Sequence, residues 1–368
     1  MKMHRRQFLL VTAAFAAGTG WAAPALDEFP AAQVFAGSPR ARGVAYGRAF
    51  KDAIAGFLAR EIYGAFVGGK FTKDEVQQYA AACGREIAAW SPEIHAELEG
   101  IAEGAGIAPE EAVLITLHEE LFHRGVLPKV EHCTVVAAGT PVTRDGHTYL
   151  GQTWDWLESV YGTSRVLRWR RDAGPDVLAY GFPGLPVGAG LNNAGLALCW
   201  TSADLGDHAL GARVGIPSYV LLTHLLYQKT LDDAAAEARR AKNAGWFTFV
   251  MTDGDGRMLN LEGSPAELAV EWGQGRMVRS GFASEQMKRR KQGANTHRGV
   301  CEAANRWLDG TTGKVDAATM REFFADRNSG ICAGKATIDV MLFDTTKREA
   351  HLSRGPHHKV AWKTFRFD

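Results

Sequence analysis

The chain changes character at Cys133, and that switch limits its folding options more than any other feature. From Leu26 to about Val130 the pattern is mostly helical. "TKDEVQQYAAACGREIAAW" opens with Thr72 as an N-cap and an acidic first turn. It sets Val76, Tyr79, Ala80 and Cys83 at helical spacing. "SPEIHAELEGIAEGAG" follows with its own Ser-Pro start and has stop signals at Gly104 and Gly106. After Cys133 come short strand-like runs, "CTVVAAGTPV", "HTYLGQTWDW", "RVLRWRRD" and "DVLAYGFPG", separated by Asp-Gly, Gly-Pro and Pro-Gly punctuation.

"GLNNAGLALCWTS" reads as a strand pair about an Asn-Ala-Gly turn. One long helical stretch, Pro217 to Lys242, interrupts the strands, with Val220, Leu221, Leu225 and Leu226 facing a sheet. Asp-Gly-Asp-Gly in "WFTFVMTDGDGRMLNLEG" is a strong hairpin signal, and "ATIDVMLFDTTKREAHLSRG" is a second hairpin. Strands, a helical block and more strands predict an α+β architecture, antiparallel sheets with helices packed on them.

With 368 residues, 46% apolar and 23% charged, the chain is an ordered globular protein large enough for one big domain or two ordinary ones. A net charge of +1 removes the composition-level case for nucleic-acid binding. The basic run "KRRK" at 288–291 reads as a solvated helix end. The first 25 residues read as a twin-arginine-type export signal. Lys2, Arg5 and Arg6 precede an apolar stretch from Phe8 to Ala17, and small residues follow at Ala22, Ala23 and Ala25. Thr12, Gly18, Thr19 and Gly20 interrupt the apolar run, which falls short of the ~20 residues that span a bilayer. The expectation is cleavage after Ala22 or Ala25 and a periplasmic or secreted protein with no stable membrane insertion. Five scattered cysteines without a CxxC pair argue against a disulfide framework.

Several chemistries fail on spacing. His118 and His123 in "HEELFH" are five apart, which puts them on different helix faces, so no zinc site is read there; "HH" at 357–358 fares the same. There is no GxxxxGK[ST], and the glycine-rich "GFPGLPVGAG" at 181–190 reads as a loop. No GxSxG elbow occurs. Cys199, inside an apolar run, and Cys83, among helical alanines, read as core. Cys133 has two readings. It is either a core cysteine, or a nucleophile released by cleavage of the bond before it. In the second case its own α-amine, with an ordinary pKa of about 7.7–8.0, serves as general base and no partner histidine is needed.

The stretch "CTVVAAGTPVTRDGHTYLGQTWDW" resembles the start of the β-chain in the penicillin acyltransferase-like (acyl-coenzyme A:6-aminopenicillanic acid acyltransferase) family of self-cleaving cysteine hydrolases. These are N-terminal nucleophile (Ntn) hydrolases related to bile salt hydrolases and acid ceramidase. "GSPRARGVAYGRAF" (37–50), "ELEGIAEGAG" (97–106), "GLNNAGLAL" (190–198), "FVMTDGDGRMLNLEGSP" (249–265) and "TIDVMLFDTTKREAHLSRGPH" (337–357) extend the likeness over most of the chain. The resemblance implies a four-layer αββα sandwich and autocleavage between His132 and Cys133. It divides the chain into residues 26–132, an α-chain, and 133–368, a β-chain carrying the nucleophile, the two staying associated in one catalytic domain. It implies attack by Cys133 on an N-acylated small molecule, through a thioester acyl-enzyme and without a cofactor.

In the same resemblance Asp155 matches the carboxylate that orients the N-terminal amine, and Asn192 matches a turn asparagine with a structural or a catalytic role. Cys133, Asp155, Asn192 and Ser202 form the implied catalytic set; Gln152, Trp154, Ser280 and Arg298 form the implied substrate-facing set. Departures are specific. Gln152 stands where bile salt hydrolases carry an arginine, so their substrate recognition does not transfer. Ser202 and Ser280 stand where relatives offer side-chain amides near the oxyanion. His132 replaces a small residue and either slows self-cleavage or assists it as an acid. Arg298 is either the arginine of the family's late helix or a surface residue. The competing reading is an exported small-molecule binding protein that has lost turnover, motivated by the two missing asparagines.

Overall fold

The computed structural model describes residues 28–368 except 69–70, 124–132, 203–211, 282, 289–297, 327, 332–336, 356–360 and 368. The export signal, His132, Cys332, residues 289–291 of the basic run and His357-His358 lie outside the described residues.

The strands are β1 (Gln33–Phe35), β2 (Thr134–Ala138), β3 (Tyr149–Asp155), β4 (Arg165–Trp169), β5 (Val177–Phe182), β6 (Leu185–Asn192) and β7 (Ala197–Thr201). They continue with β8 (Phe247–Thr252), β9 (Arg257–Gly263), β10 (Leu268–Gln274), β11 (Arg276–Arg279), β12 (Thr337–Asp344), β13 (Glu349–Arg354) and β14 (Lys363–Phe365). One sheet has the order β1-β4-β5-β6-β7-β8-β9-β10, antiparallel except for the β1–β4 pair; the other, β11-β2-β3-β12-β13-β14, is wholly antiparallel. The two sheets pack face to face through β2 and β3 against β7 and β8.

Helices cover both outer faces. The N-terminal segment supplies α1 (Pro39–Ala49), α2 (Lys51–Phe57), α3 (Lys73–Trp90), α4 (Pro92–Ala105), α5 (Pro109–Thr116) and α6 (His118–His123), with a π-helical turn over Leu58–Gly64. With α7 (Ser218–Leu226) and α8 (Leu231–Arg240) these form the layer on the eight-stranded sheet. After α9 (Glu285–Lys288), α10 (Arg298–Thr311) and α11 (Ala317–Ala325) pack on the six-stranded sheet. The result is the αββα sandwich, an α+β fold.

Burial on both faces explains why β2 is apolar from Val135 to Ala138. Val135 and Ala137 join the core between the sheets; Val136 and Ala138 join the core under α10 and α11. The predicted capping box forms: Thr72 Oγ1 accepts from the Glu75 amide at 3.2 Å, and Glu75 accepts from the Thr72 amide at 2.7 Å.

Four expectations need correction. Residues 217–242 form two helices, because Thr230 Oγ1 accepts from the Asp233 amide (3.1 Å) and starts α8 afresh. Residues 181–190 belong to the β5–β6 hairpin, not a loop; Gly184, at φ 84°, makes the turn. The N-terminal segment contributes β1 as well as helices. Only Gly106 ends α4, in the left-handed conformation. Gly104 lies inside the helix, where α1 and α4 cross backbone to backbone. A Cβ on Gly43, Gly47, Gly100 or Gly104 would strike a carbonyl of the facing helix.

Candidate active site

Cys133 directly precedes β2 in the inner part of the sandwich. Strand pairing sets Thr134 opposite Thr153, and the Thr134 amide donates to Thr153 Oγ1 at 3.0 Å. That brings the Cys133 thiol to the end of β3, where Sγ lies 3.9 Å from the Asp155 carbonyl oxygen. Asp155 is 2% exposed, and its Oδ1 accepts from Thr337 Oγ1 of β12 at 2.5 Å. The thiol thus contacts the backbone of Asp155, and the Asp155 carboxylate is near enough to act on it electrostatically. Burial raises the thiol pKa, and the Asp155 charge adds to the rise. In the uncut chain Cys133 is a protonated thiol.

Gln152 points between the sheets. Its Oε1 accepts from the Trp200 amide of β7 at 3.0 Å, fixing the amide plane. The fixed Nε2 has no partner with hydrogen-bond geometry among the described residues; it faces Cys133 and favours the thiolate. Ser202 follows β7 on the same side. The register of β11 on β2, Arg279 opposite Val135, sets Ser280 beside Thr134, and its buried hydroxyl has no hydrogen-bond partner among the described residues. The Gly281 amide donates to Thr201 Oγ1 at 3.4 Å, which joins the end of β11 to the end of β7. Cys133, Asp155, Gln152 and Ser202 thus converge from three strand ends of two sheets, whereas Ser280 is in phase with Val278 and Val136 on the helix-facing side of its sheet.

Two assignments are corrected. Trp154 is core, not a substrate contact. It is 1% exposed, with ring centroids 5.1 Å from Tyr180, 5.3 Å from Phe182 and 5.8 Å from Trp200. Asn192 has no capacity left for catalysis. Its Nδ2 donates to the carbonyls of Leu226 (2.9 Å) and Gln228 (2.8 Å), and its Oδ1 accepts from the amides of Ala194 (3.0 Å) and Leu196 (2.9 Å). It clamps the β6–β7 turn to the end of α7. Arg298 opens α10, but its side chain lies outside the described residues. Cys83 and Cys199 are core, as their settings predicted.

Sequence reasoning missed a carboxyl pair on α6. Glu119, 1% exposed, meets Ser202 Oγ at 3.1 Å through Oε2, and when ionised it acts on Cys133 to raise the thiol further. Burial and the neighbouring Glu120 push its pKa up to about 8. Glu120 Oε1 accepts from the Ser218 amide (2.8 Å) and hydroxyl (2.6 Å), and burial pushes it up to about 7. His118, held near pKa 3 by burial, lies neutral among Phe57, Phe66, Phe122 and Trp156. The available signal was two adjacent glutamates in the apolar run "AVLITLHEELFH", which the sequence analysis weighed only as metal ligands. Among the described residues no group of three His, Cys, Asp or Glu side chains is placed to hold a metal ion, and no helix is long and apolar enough to cross a membrane.

No protein-family model matches the chain. Among solved structures it is similar to penicillin V acylase from Agrobacterium tumefaciens, at 13% identity over 64% of this chain and 86% of that one, with a TM-score of 0.45. It is also similar to two variants of the conjugated bile acid hydrolase from Clostridium perfringens. These have 13% and 12% identity over 64% of this chain and 97% of theirs, with TM-scores of 0.44 and 0.42. A likeness of this degree carries no residue role across, and the site stands on its own geometry.

Proposed function

We propose that this chain is a self-processing N-terminal cysteine amidohydrolase or acyltransferase acting on an N-acylated small molecule. The observation that carries the reading is a cysteine at the start of an inner strand, with Asp155 at its sulfur and amide and hydroxyl groups gathered around it. In the uncut chain the thiol is protonated and no α-amine exists to activate it.

Self-cleavage supplies the missing base. Sγ attacks the His132 carbonyl carbon, the C–N bond to Cys133 breaks, and the departing nitrogen takes the thiol proton. Water hydrolyses the resulting thioester, leaving a His132 carboxylate and a free Cys133 thiol with its own α-amine. In turnover that amine takes the thiol proton, Sγ attacks the acyl carbon, and the amine proton passes to the leaving nitrogen. Water or a second amine then removes the acyl group from sulfur. Gln152 Nε2 and the Ser202 hydroxyl are the donors available to the oxyanion. The α- and β-chains stay together because strands and helices from both share the sheets and cores. The N-terminal signal, read from sequence, directs the folded protein to the periplasm or out of the cell.

The test is a panel of N-acyl amino acids, acyl lactams and lipid amides, with mass spectrometry following both acyl transfer to Cys133 and released product. The reading predicts a substrate-dependent acyl adduct on Cys133 and no turnover in Cys133→Ala. Ligand binding without any adduct would favour the binding-protein reading instead.

A further inference from the structure

The carboxyl group of Glu119 has no part in the chemistry above, yet it is bonded to one of the oxyanion donors. We propose that Glu119 is a positioning residue: as a neutral acid it donates to Ser202 Oγ and so frees the Ser202 proton for the acyl oxygen at Cys133. This rests on the function proposed above.

One hydrogen bond with two possible polarities carries the argument. Glu119 Oε2 and Ser202 Oγ are 3.1 Å apart. A carboxylate would accept the only hydroxyl proton of Ser202, leaving that residue nothing to offer substrate. A carboxylic acid donates instead, and the hydroxyl proton turns outward. The surroundings favour the acid. Glu119 is 1% exposed, and its Oε1 has no hydrogen-bond partner among the described residues. The titratable groups that face it are Glu120 on its own helix, Tyr219 of α7 and Cys133 before β2. None is a cation. Glu120 is already engaged by Ser218 and offers no relief. Burial accordingly holds Glu119 neutral up to about pH 8.

The chemical consequence follows from charge flow. As Sγ bonds to the acyl carbon, the carbonyl π pair moves onto oxygen, which receives the Ser202 O–H and Gln152 N–H. The C=O re-forms as the C–N bond breaks, and the leaving nitrogen takes the proton held by the α-ammonium. Ionising Glu119 turns the Ser202 proton away, so acylation weakens as pH rises through about 8. A serine with a neutral acid behind it thereby occupies the place where relatives carry an amide.

The test uses the full processed protein with p-nitrophenyl butyrate, reading the rate of Cys133 acylation by intact mass from pH 6 to 9.5. Wild type is expected to lose rate above pH 8. Glu119→Gln, whose amide N–H is a permanent donor to Ser202, should keep the neutral rate within about threefold and lose the alkaline fall. Ser202→Ala should be slower by about 10²- to 10³-fold, the usual loss for one oxyanion donor, and should also lose the fall. Thermal melts of each variant confirm that it is folded. An unchanged alkaline fall in Glu119→Gln overturns the inference. A fall retained in Ser202→Ala overturns it too, since Glu119 would then act by charge alone. Wild type labelled no faster than Cys133→Ala would sink the proposed function itself, and the inference with it.

Discussion

Replacing Glu97 by glutamine should cost this protein more stability than replacing Glu97 and Arg42 together. Arg42 on α1 is 0% exposed; its guanidinium contacts Glu97 Oε1 and donates to the carbonyls of Gly37 (2.7 Å) and Arg170 (3.2 Å). The Glu97 carboxylate also accepts from Trp169 Nε1 (3.2 Å) and Tyr227 Oη (2.8 Å). Arg42 and Glu97 precede Cys133 in the chain, whereas Trp169 and Tyr227 follow it. The cluster therefore joins the two segments that self-cleavage would separate. Glu97→Gln leaves a buried guanidinium whose remaining counter-charge is Glu93, at 3.2 Å with a 33% exposed side chain. Orphaning one member of a buried pair costs about 3–5 kcal/mol, and the half-exposed Glu93 argues for the lower end. Replacing both members with apolar residues of similar volume, Arg42→Met with Glu97→Leu, removes the charge along with its partner and is often neutral. Equilibrium urea unfolding in an uncut Cys133→Ala background measures this. At about 3 kcal/mol/M, a loss of about 3 kcal/mol moves the midpoint by about 1 M. A midpoint within about 0.3 M of the parent for Glu97→Gln, or a double variant worse than the single, would refute the reasoning.

Three further predictions concern packing, helix propensity and the turn clamp. Gly104→Ala should destabilise by about 1–3 kcal/mol, because its methyl meets the Val44 carbonyl across the helix crossing. Gly310→Ala, in open space on α10, should gain up to about 1 kcal/mol in the same urea assay. Asn192→Ala removes four hydrogen bonds worth roughly 0.5–1.5 kcal/mol each, so a loss of about 2–6 kcal/mol is expected. Activity per titrated Cys133 should stay at the wild-type level. A large drop in that specific activity with an unchanged urea midpoint would return Asn192 to the catalytic set.

Local signals survived in this sequence wherever local physics decided the outcome. The Thr72–Glu75 capping box, the Asp-Gly-Asp-Gly hairpin and the 337–354 hairpin depend on neighbours in the chain, and all three formed. Features set by distant partners were not legible. Residues 181–190 became strands because Gly181 lets the carbonyls of Leu185 and Pro186 approach, at the point where the β5–β6 register shifts. Gly104 looked like a stop because a helix crossing is invisible in one helix's pattern. Trp154 stood two residues from Gln152 and looked equally available; the packing of β3 on β7 turned its ring into the core. Glu119 and Glu120 sit in a stretch weighed only for its histidine spacing, and only the fold buries them close to Cys133. Cys133 and Asp155 come together through the short-range pairing of β2 with β3, while the roles given to them come from the resemblance.

The central claim is that Cys133 is an N-terminal nucleophile made by self-cleavage. Its most direct measurement is intact mass with N-terminal sequencing of the purified protein beside Cys133→Ala. The account predicts two fragments in the parent, the larger beginning Cys-Thr-Val-Val, and one uncut chain in the variant. A single uncut chain in both would contradict it and leave Cys133 as a buried core thiol.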